Sequence, residues 1–193
     1  MWICFSRSPE PQTWICYTEA MDAILDVTLF SLALAGMEAI AWATHKYIMH
    51  GPLWVLHRSH HGPRRGAWEL NDLFAVFFAA PSVLLIWIGT FAWGPALWLG
   101  LGMAGYGAVY ALFHDGVVHR RFPLPVPARW FKRLVQAHRL HHATTQKRGA
   151  VSFGFLWAPP VRELKRRLAE RRSRSAAPPE PSSELAKFRF PRT

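Results

Sequence analysis

Apolar and polar positions in this chain segregate over lengths much greater than a helical turn. From Leu73 to Phe113 there are 41 residues without a single charge. Roughly 20 apolar residues in a helix cross a hydrocarbon core, so this run is long enough for two crossings. Gly94-Pro95 supplies the break, which predicts a hairpin of Leu73–Trp93 and Pro95–Phe113 with almost no loop at its tip. A third stretch, Ile24–Ala43, has the length of a span but carries Asp26 and Glu38. Asp26 falls near an end that water can reach. Glu38 must lie close to a site or to the interface, because an unpaired carboxylate in hydrocarbon is costly. A soluble chain of 193 residues could not bury this much apolar surface. The expected class is an all-α integral membrane protein with about three transmembrane helices, or four if a short extra segment dips into the bilayer.

Basic residues then set the orientation. Met1–Asp22 holds Arg7 against Glu10, Glu19 and Asp22, whereas Lys46, Arg58, Arg64 and Arg65 follow the first span. Eight basic residues lie between Arg120 and Arg148, opposed by Asp115 alone between His114 and Ala150. Three spans then leave the N-terminus outside and both basic segments in the cytoplasm. The net charge of +11 is absorbed by these loops and the tail, and no aromatic-basic recognition motif points to nucleic acid. The same polar segments hold the mean hydropathy to +0.04. Residues 1–22 are read as an N-terminal extension, 23–172 as the membrane domain and 173–193 as a disordered tail rich in Pro and Ser. Met1–Ala20 has no basic region ahead of an apolar core, so no cleaved signal peptide is expected, and Met21 stands as an alternative start. Pro159-Pro160 opens a basic helix, Val161–Arg172, whose Val161, Leu164 and Leu168 stripe suits a membrane surface or a solvated face.

All ten histidines fall into four groups with repeated spacing: His45/His50, His57/His60/His61, His114/His119 and His138/His141/His142. The order is H-x4-H then H-x2-H-H, given twice. On an α-helix, positions i, i+3 and i+4 share a face, so each triplet can aim at one ion or a close pair. Residues five apart lie about 140° from each other on an unbroken α-helix. Gly51-Pro52 and Gly116 therefore suggest helix ends that swing the second histidine round. Neutral imidazole suits iron, copper, zinc or nickel, and ten nitrogens exceed one ion's capacity. Two ions are implied, most simply iron with positions left open for oxygen. A closed structural zinc site needs four ligands and usually cysteine, whereas Cys4 and Cys16 lie far from every group.

The stretches GMEAIAWATHKYIMHG, HRSHH, GAWELNDLFAVFFAA, FHDGVVHRRFP, AHRLHHA and VSFGFLWAPP closely resemble bacterial β-carotene 3-hydroxylases, within the membrane fatty-acid hydroxylase superfamily. The likeness runs from about Gly36 to Val161 and keeps motif order. It implies a non-haem di-iron monooxygenase of the inner membrane, with its active site facing the cytoplasm. The implied reaction uses O2 and electrons from reduced ferredoxin to take β-carotene through β-cryptoxanthin to zeaxanthin, and ketolated rings toward astaxanthin. All ten histidines match the motifs and carry over as candidate iron ligands.

An unactivated ring C–H has no acidic proton, so histidine acid-base chemistry alone cannot break it, and a metal-supported oxidant fits the need. Carboxylates accepting the outer imidazole N–H should orient the ligands. Asp115 is the first candidate, with Glu69, Asp72 and Asn71 behind it; the last three equally suit a cap on the second span. Phe153, Phe155 and Trp157 are candidates to wall the substrate ring or to form an interfacial aromatic belt. A membrane fatty-acid or sterol hydroxylase or a desaturase would use similar histidine boxes. A membrane haem carrier or metal transporter would place its ligands deep within the spans. Here every histidine lies at or beyond a span end.

Overall fold

A computed structural model describes residues 11–64, 66–122, 124 and 129–176. Six α-helices are described: α1 (Pro11–Ala43), the single turn α2 (Trp54–His57), α3 (Leu73–Phe91), α4 (Gly94–Tyr110), α5 (Arg129–His141) and α6 (Val161–Ala176), with no strand among the described residues. Glu19–Met49, Leu70–Phe91 and Gly94–Val118 are long and apolar enough to cross a membrane. The protein is an all-helical membrane protein of three spans. The hairpin of α3 and α4 turns within two residues, and Pro95 stands in the first turn of α4, where its missing N–H costs nothing. The helix α1 begins at Pro11, inside the stretch read as an extension, and α6 continues to Ala176, four residues into the stretch read as disordered. The rest of both stretches lies outside the described residues.

The outward faces of the spans are apolar: Ile24, Val27, Val76, Phe77, Leu84 and Trp87 are all exposed. In water these faces would demand a partner; lipid solvates them. Lipid gives no hydrophobic drive between helices, so they pack through small residues. A Cβ on Gly100 would meet Ile86 and Ser82 of α3 at 2.8 Å, and one on Gly102 would meet Ala33 of α1 at 2.7 Å. Ser82 Oγ donates to the Gly100 carbonyl at 2.8 Å across the hairpin. The central helix α4 thus packs on both α1 and α3. A cavity of about 440 Å³ lies over it, walled by Met37 and Ala41 of α1 and by Phe74, Phe78 and Ser82 of α3.

A compact base closes the histidine-bearing end of the bundle. Phe113 and Val117 below α4 join Leu134 and Val135 of α5 and Leu164 and Leu168 of α6 in one buried cluster. The apolar stripe of α6 is therefore consumed inside the protein, with Leu164 0% exposed, and does not lie on a membrane surface. One turn further along α6, Arg171 donates to the Ala150 carbonyl and Arg172 to that of Ala143, fixing the ends of the 143–150 loop. At the interface Lys46 Nζ sits 4.7 Å from the Trp42 ring and 4.8 Å from that of Tyr47. Such a cation held between aromatic rings suits the headgroup level.

The small-residue packing predicts that Gly102→Val lowers stability by roughly 2 kcal/mol or more through overpacking against α1. Gly36→Val, where a Cβ meets nothing within 4 Å, should leave the thermal midpoint in detergent within about a degree or two, since only intrinsic propensity changes. Equal melting of the two variants would contradict the packing.

Candidate metal centre

Each H-x4-H pair begins inside a π-helical turn and ends on the residue after it, the turns being Thr44–Met49 at the end of α1 and Ala111–Val118 at the end of α4. The backbone N–H of His50 bonds the carbonyl of His45 at 3.0 Å, and that of His119 bonds the carbonyl of His114 at 2.9 Å. An i→i+5 bond stacks residues five apart, one turn above the other. His50 and His119 do stand at helix ends, as the C-caps of these turns, and it is the wider turn that brings each of them inward. Gly51 permits the exit from the first turn, since any Cβ there would strike the Tyr47 carbonyl oxygen.

The ten histidines meet in one place as two adjoining clusters. His45, His50, His57, His61 and His141 form one, and His60, His114, His119 and His138 form the other, each with one ligand atom per residue within 4.8 Å of the rest. His142 Nε2 lies 2.9 Å from His138 Nε2, which places it with the second. The triplets do not aim as units. His57 and His61 face each other at 3.2 Å, while His60 turns to His114 at 3.2 Å. His138 pairs with His142, while His141 turns to His61 at 3.1 Å and to His50 at 3.2 Å. Adjacent residues on a helix diverge by about 100°, so the second and third histidines of each triplet straddle two targets. In both triplets it is the middle histidine that crosses to the other half's cluster.

The outer nitrogens are anchored on oxygen. The Nδ1–H of His45 donates to the Phe153 carbonyl at 3.0 Å, that of His50 to Lys147 at 2.9 Å and that of His61 to Thr144 at 2.8 Å. His57 donates to Asn71 Oδ1 at 2.6 Å, His60 to Glu69 at 3.2 Å and His114 to Asp115 at 2.9 Å. With Nδ1 carrying the proton, each Nε2 keeps a bare lone pair facing other bare lone pairs. That arrangement repels unless a cation lies between. At metal–nitrogen bonds of ~2.1 Å, nitrogens at right angles lie ~3.0 Å apart and tetrahedral ones ~3.4 Å apart. The Nε2 contacts of 2.9–3.2 Å fit a five- or six-coordinate ion better than a tetrahedral one. Burial, the largest cause, lowers His57 to about 3, His61 to about 4, His119 to about 3 and His142 to about 2. These imidazoles are neutral and competent to bind metal across the physiological range.

Glu69 and Asp72 form a capping box on the 3₁₀ turn Leu70–Asp72 that opens α3, so one group caps the span and holds His60. Asp72 reaches no histidine; it pairs with Arg121 at 2.7 Å. Arg121 also lies 3.4 Å from Asp115 and thereby joins the two acidic groups behind the second cluster. Arg121 belongs to no spacing pattern, and only its position two residues beyond His119 distinguishes it in the sequence. Phe153 and Phe155 line the cavity, with His45, His57, His60, His114 and His138 at its polar end. Trp157 does not line it and is 65% exposed, which suits the interfacial belt.

A family model described as fatty acid hydroxylase matches residues 30–158. The chain is 51% identical over 150 residues to a protein named beta-carotene hydroxylase from Pantoea ananas, covering 77% of this chain and 86% of that one. A protein of the same name from Paracoccus sp. (strain PC1) is 48% identical over 135 residues, 68% of this chain and 83% of its own. A chloroplastic protein from Gentiana lutea, named beta-carotene 3-hydroxylase, is 41% identical over 133 residues, 66% of this chain and 41% of its own. No solved structure matches.

The Arg121 pairing generates a test. Arg121→Gln should weaken one of two metals by ~10–100-fold, the usual cost of losing a group that orients a ligand, and leave the other unchanged. Stepwise metal titration of the purified apoprotein reads this, and equal weakening of both sites would exclude the assignment.

Proposed function

The chain belongs to the fatty acid hydroxylase family, and from that premise we propose that it is a β-carotene 3-hydroxylase. It hydroxylates carbon 3 of each β-ionone ring, taking β-carotene through β-cryptoxanthin to zeaxanthin and accepting ketolated rings toward astaxanthin. The observation that carries this reading is the apolar cavity that runs from Ile86, well inside the second span, to the two histidine clusters at the membrane face. A long polyene dissolved in the bilayer can enter such a cavity end-on and bring one ring to the metals without crossing water. The names of the 41–51% identical relatives point to the same substrate.

The residues fit two non-haem irons. His45, His50, His57, His61 and His141 would hold one, and His60, His114, His119, His138 and His142 the other. When bound, the irons supply the activation of dioxygen that breaking an unactivated C–H bond requires. The protein's own part is positional. Carbonyl oxygens and Asn71 fix the imidazoles of the first cluster, while Glu69 and Asp115 fix those of the second. Phe153, Phe155 and Phe74 wall the ring and exclude water. Each hydroxylation consumes one O2 with two electrons and two protons and releases one water. We assign the electrons to reduced ferredoxin, approaching from the cytoplasmic side of a bacterial inner membrane.

Cells that make β-carotene should accumulate zeaxanthin through the monohydroxylated intermediate when given this gene, only in the presence of oxygen. The purified active enzyme should contain about two irons, and alanine at His57, His61, His138 or His142 should abolish turnover while leaving membrane insertion intact. Unchanged pigment despite membrane expression and an active reductant would reject the assignment, as would zinc as the only metal of active enzyme.

Orientation has its own test, in a variant lacking Cys4 and Cys16. Gly66→Cys and Lys147→Cys should resist a membrane-impermeant thiol reagent in intact spheroplasts and react after lysis, whereas Gly94→Cys should react in both. Labelling of Gly66→Cys in intact spheroplasts would place the metals on the outer face.

A further inference from the structure

Glu38 lies in the membrane half of α1, and its carboxylate makes no hydrogen bond to a histidine. Its two oxygens accept four hydrogen bonds. Oε2 receives the Tyr106 hydroxyl of α4 at 2.8 Å. Oε1 receives the consecutive backbone N–H groups of Phe155, Leu156 and Trp157 at 2.8, 2.9 and 3.1 Å. Successive amides turned onto one oxygen form an anion-binding concavity. Gly154 is what lets the turn close: a Cβ there would strike the Trp157 carbonyl oxygen and stand 3.3 Å from Glu38 Oε1. The turn is shaped around the carboxylate, which also explains how an acidic side chain is accommodated within a span.

Two functional surfaces hang on that turn. The Phe153 carbonyl accepts the His45 Nδ1–H, and the Phe153 ring packs edge-on to His45, His50 and His141 at centroid distances of 5.6, 5.2 and 5.3 Å. The Phe155 ring packs on Tyr110 and Phe113 at 4.8 and 4.9 Å. Both rings line the cavity beside the histidines.

We propose that Glu38 is a positioning residue that clamps the Gly154–Trp157 turn to α1 and α4. It thereby sets both the orientation of His45 and the aromatic wall against which the substrate ring rests. One carboxylate couples ring placement to the geometry of one metal centre. The part that concerns the ring rests on the hydroxylase reading; the clamp does not.

The test uses the full chain in nanodiscs, with and without iron, and its first readout needs no turnover. Glu38→Ala should make the Phe155–Trp157 amides exchange hydrogen roughly tenfold faster or more, the protection expected from a charge-assisted bond to each. It should also change the Mössbauer signal of one of the two irons and lower kcat/KM by ~10–100-fold. Glu38→Gln keeps an acceptor for the three amides and a donor toward the Tyr106 oxygen, so it should restore most of the protection and the native signal. Tyr106→Phe, the mildest change, should leave the three amides protected. Native exchange in Glu38→Ala would overturn the clamp. So would Gln as damaging as Ala, or Tyr106→Phe releasing the amides as fully. A native iron signal and native kcat/KM in Glu38→Ala with released amides would overturn the coupling. If wild-type chain fails to hydroxylate β-carotene while the exchange pattern holds, the substrate reading fails and the clamp stands.

Discussion

Buried imidazoles with their inner nitrogens bare are the constraint on which the rest of this structure depends. Six of the ten commit their outer N–H to oxygen, which forces the opposite lone pairs together in a space that burial has dried. Lone pairs at about 3 Å in low dielectric repel, and at His50, His57, His60 and His61 burial lowers the pKa and so opposes protonation. Metal is the remaining solution. The segments between helices then acquire a purpose. The 144–153 loop supplies three carbonyl oxygens, and the turn opening α3 supplies Asn71 and Glu69.

The two clusters are anchored differently. The first leans on neutral acceptors, the carbonyls of Thr144, Lys147 and Phe153 and the amide of Asn71. The second leans on Glu69 and Asp115, with Asp72 and Arg121 behind them. An imidazole that donates to a carboxylate is a more basic ligand than one that donates to a carbonyl. The two centres are thus electronically distinct even though their histidine spacings are the same. Arg121 moderates the difference by neutralising part of the acidic charge.

The three spans were legible because hydrocarbon imposes a length, and 41 uncharged residues admit little else. That the histidines form one task was legible from their spacing alone. How they divide was not. A spacing of five reads as a helix end when only the α-helix is considered, and nothing local in THKYIM or ALFHDGVV distinguishes a π turn; the wider turn is held by tertiary contacts with the opposite half. The crossing of His60 and His141 depends on the approach of the two halves, which spacing within either half does not encode. Arg121 and the Glu38 clamp join residues 49 and 117 positions apart, beyond the reach of any local pattern. The Val161/Leu164/Leu168 stripe was visible, but a stripe records only that a face is covered. Here α5 and the base of the bundle cover it.

The exchange of the middle histidines has a consequence for assembly. Neither half contains a complete cluster, since His45, His50, His57 and His61 lack the inward nitrogen of His141 and the second group lacks that of His60. A metal bound by the first half alone keeps an incomplete coordination shell, so full affinity appears only when the hairpin has brought α4 back beside α1. Metal binding and helix packing are therefore linked equilibria: whatever stabilises the packed bundle raises metal affinity, and metal in turn stabilises the packing. The small residues in the middle of α4 and the lone pairs of the histidines beyond its C-terminal end act on the same equilibrium. This fits a protein that builds its base from short, loop-rich segments beneath only three spans: ions held by the two clusters would link segments that apolar packing alone would hold weakly.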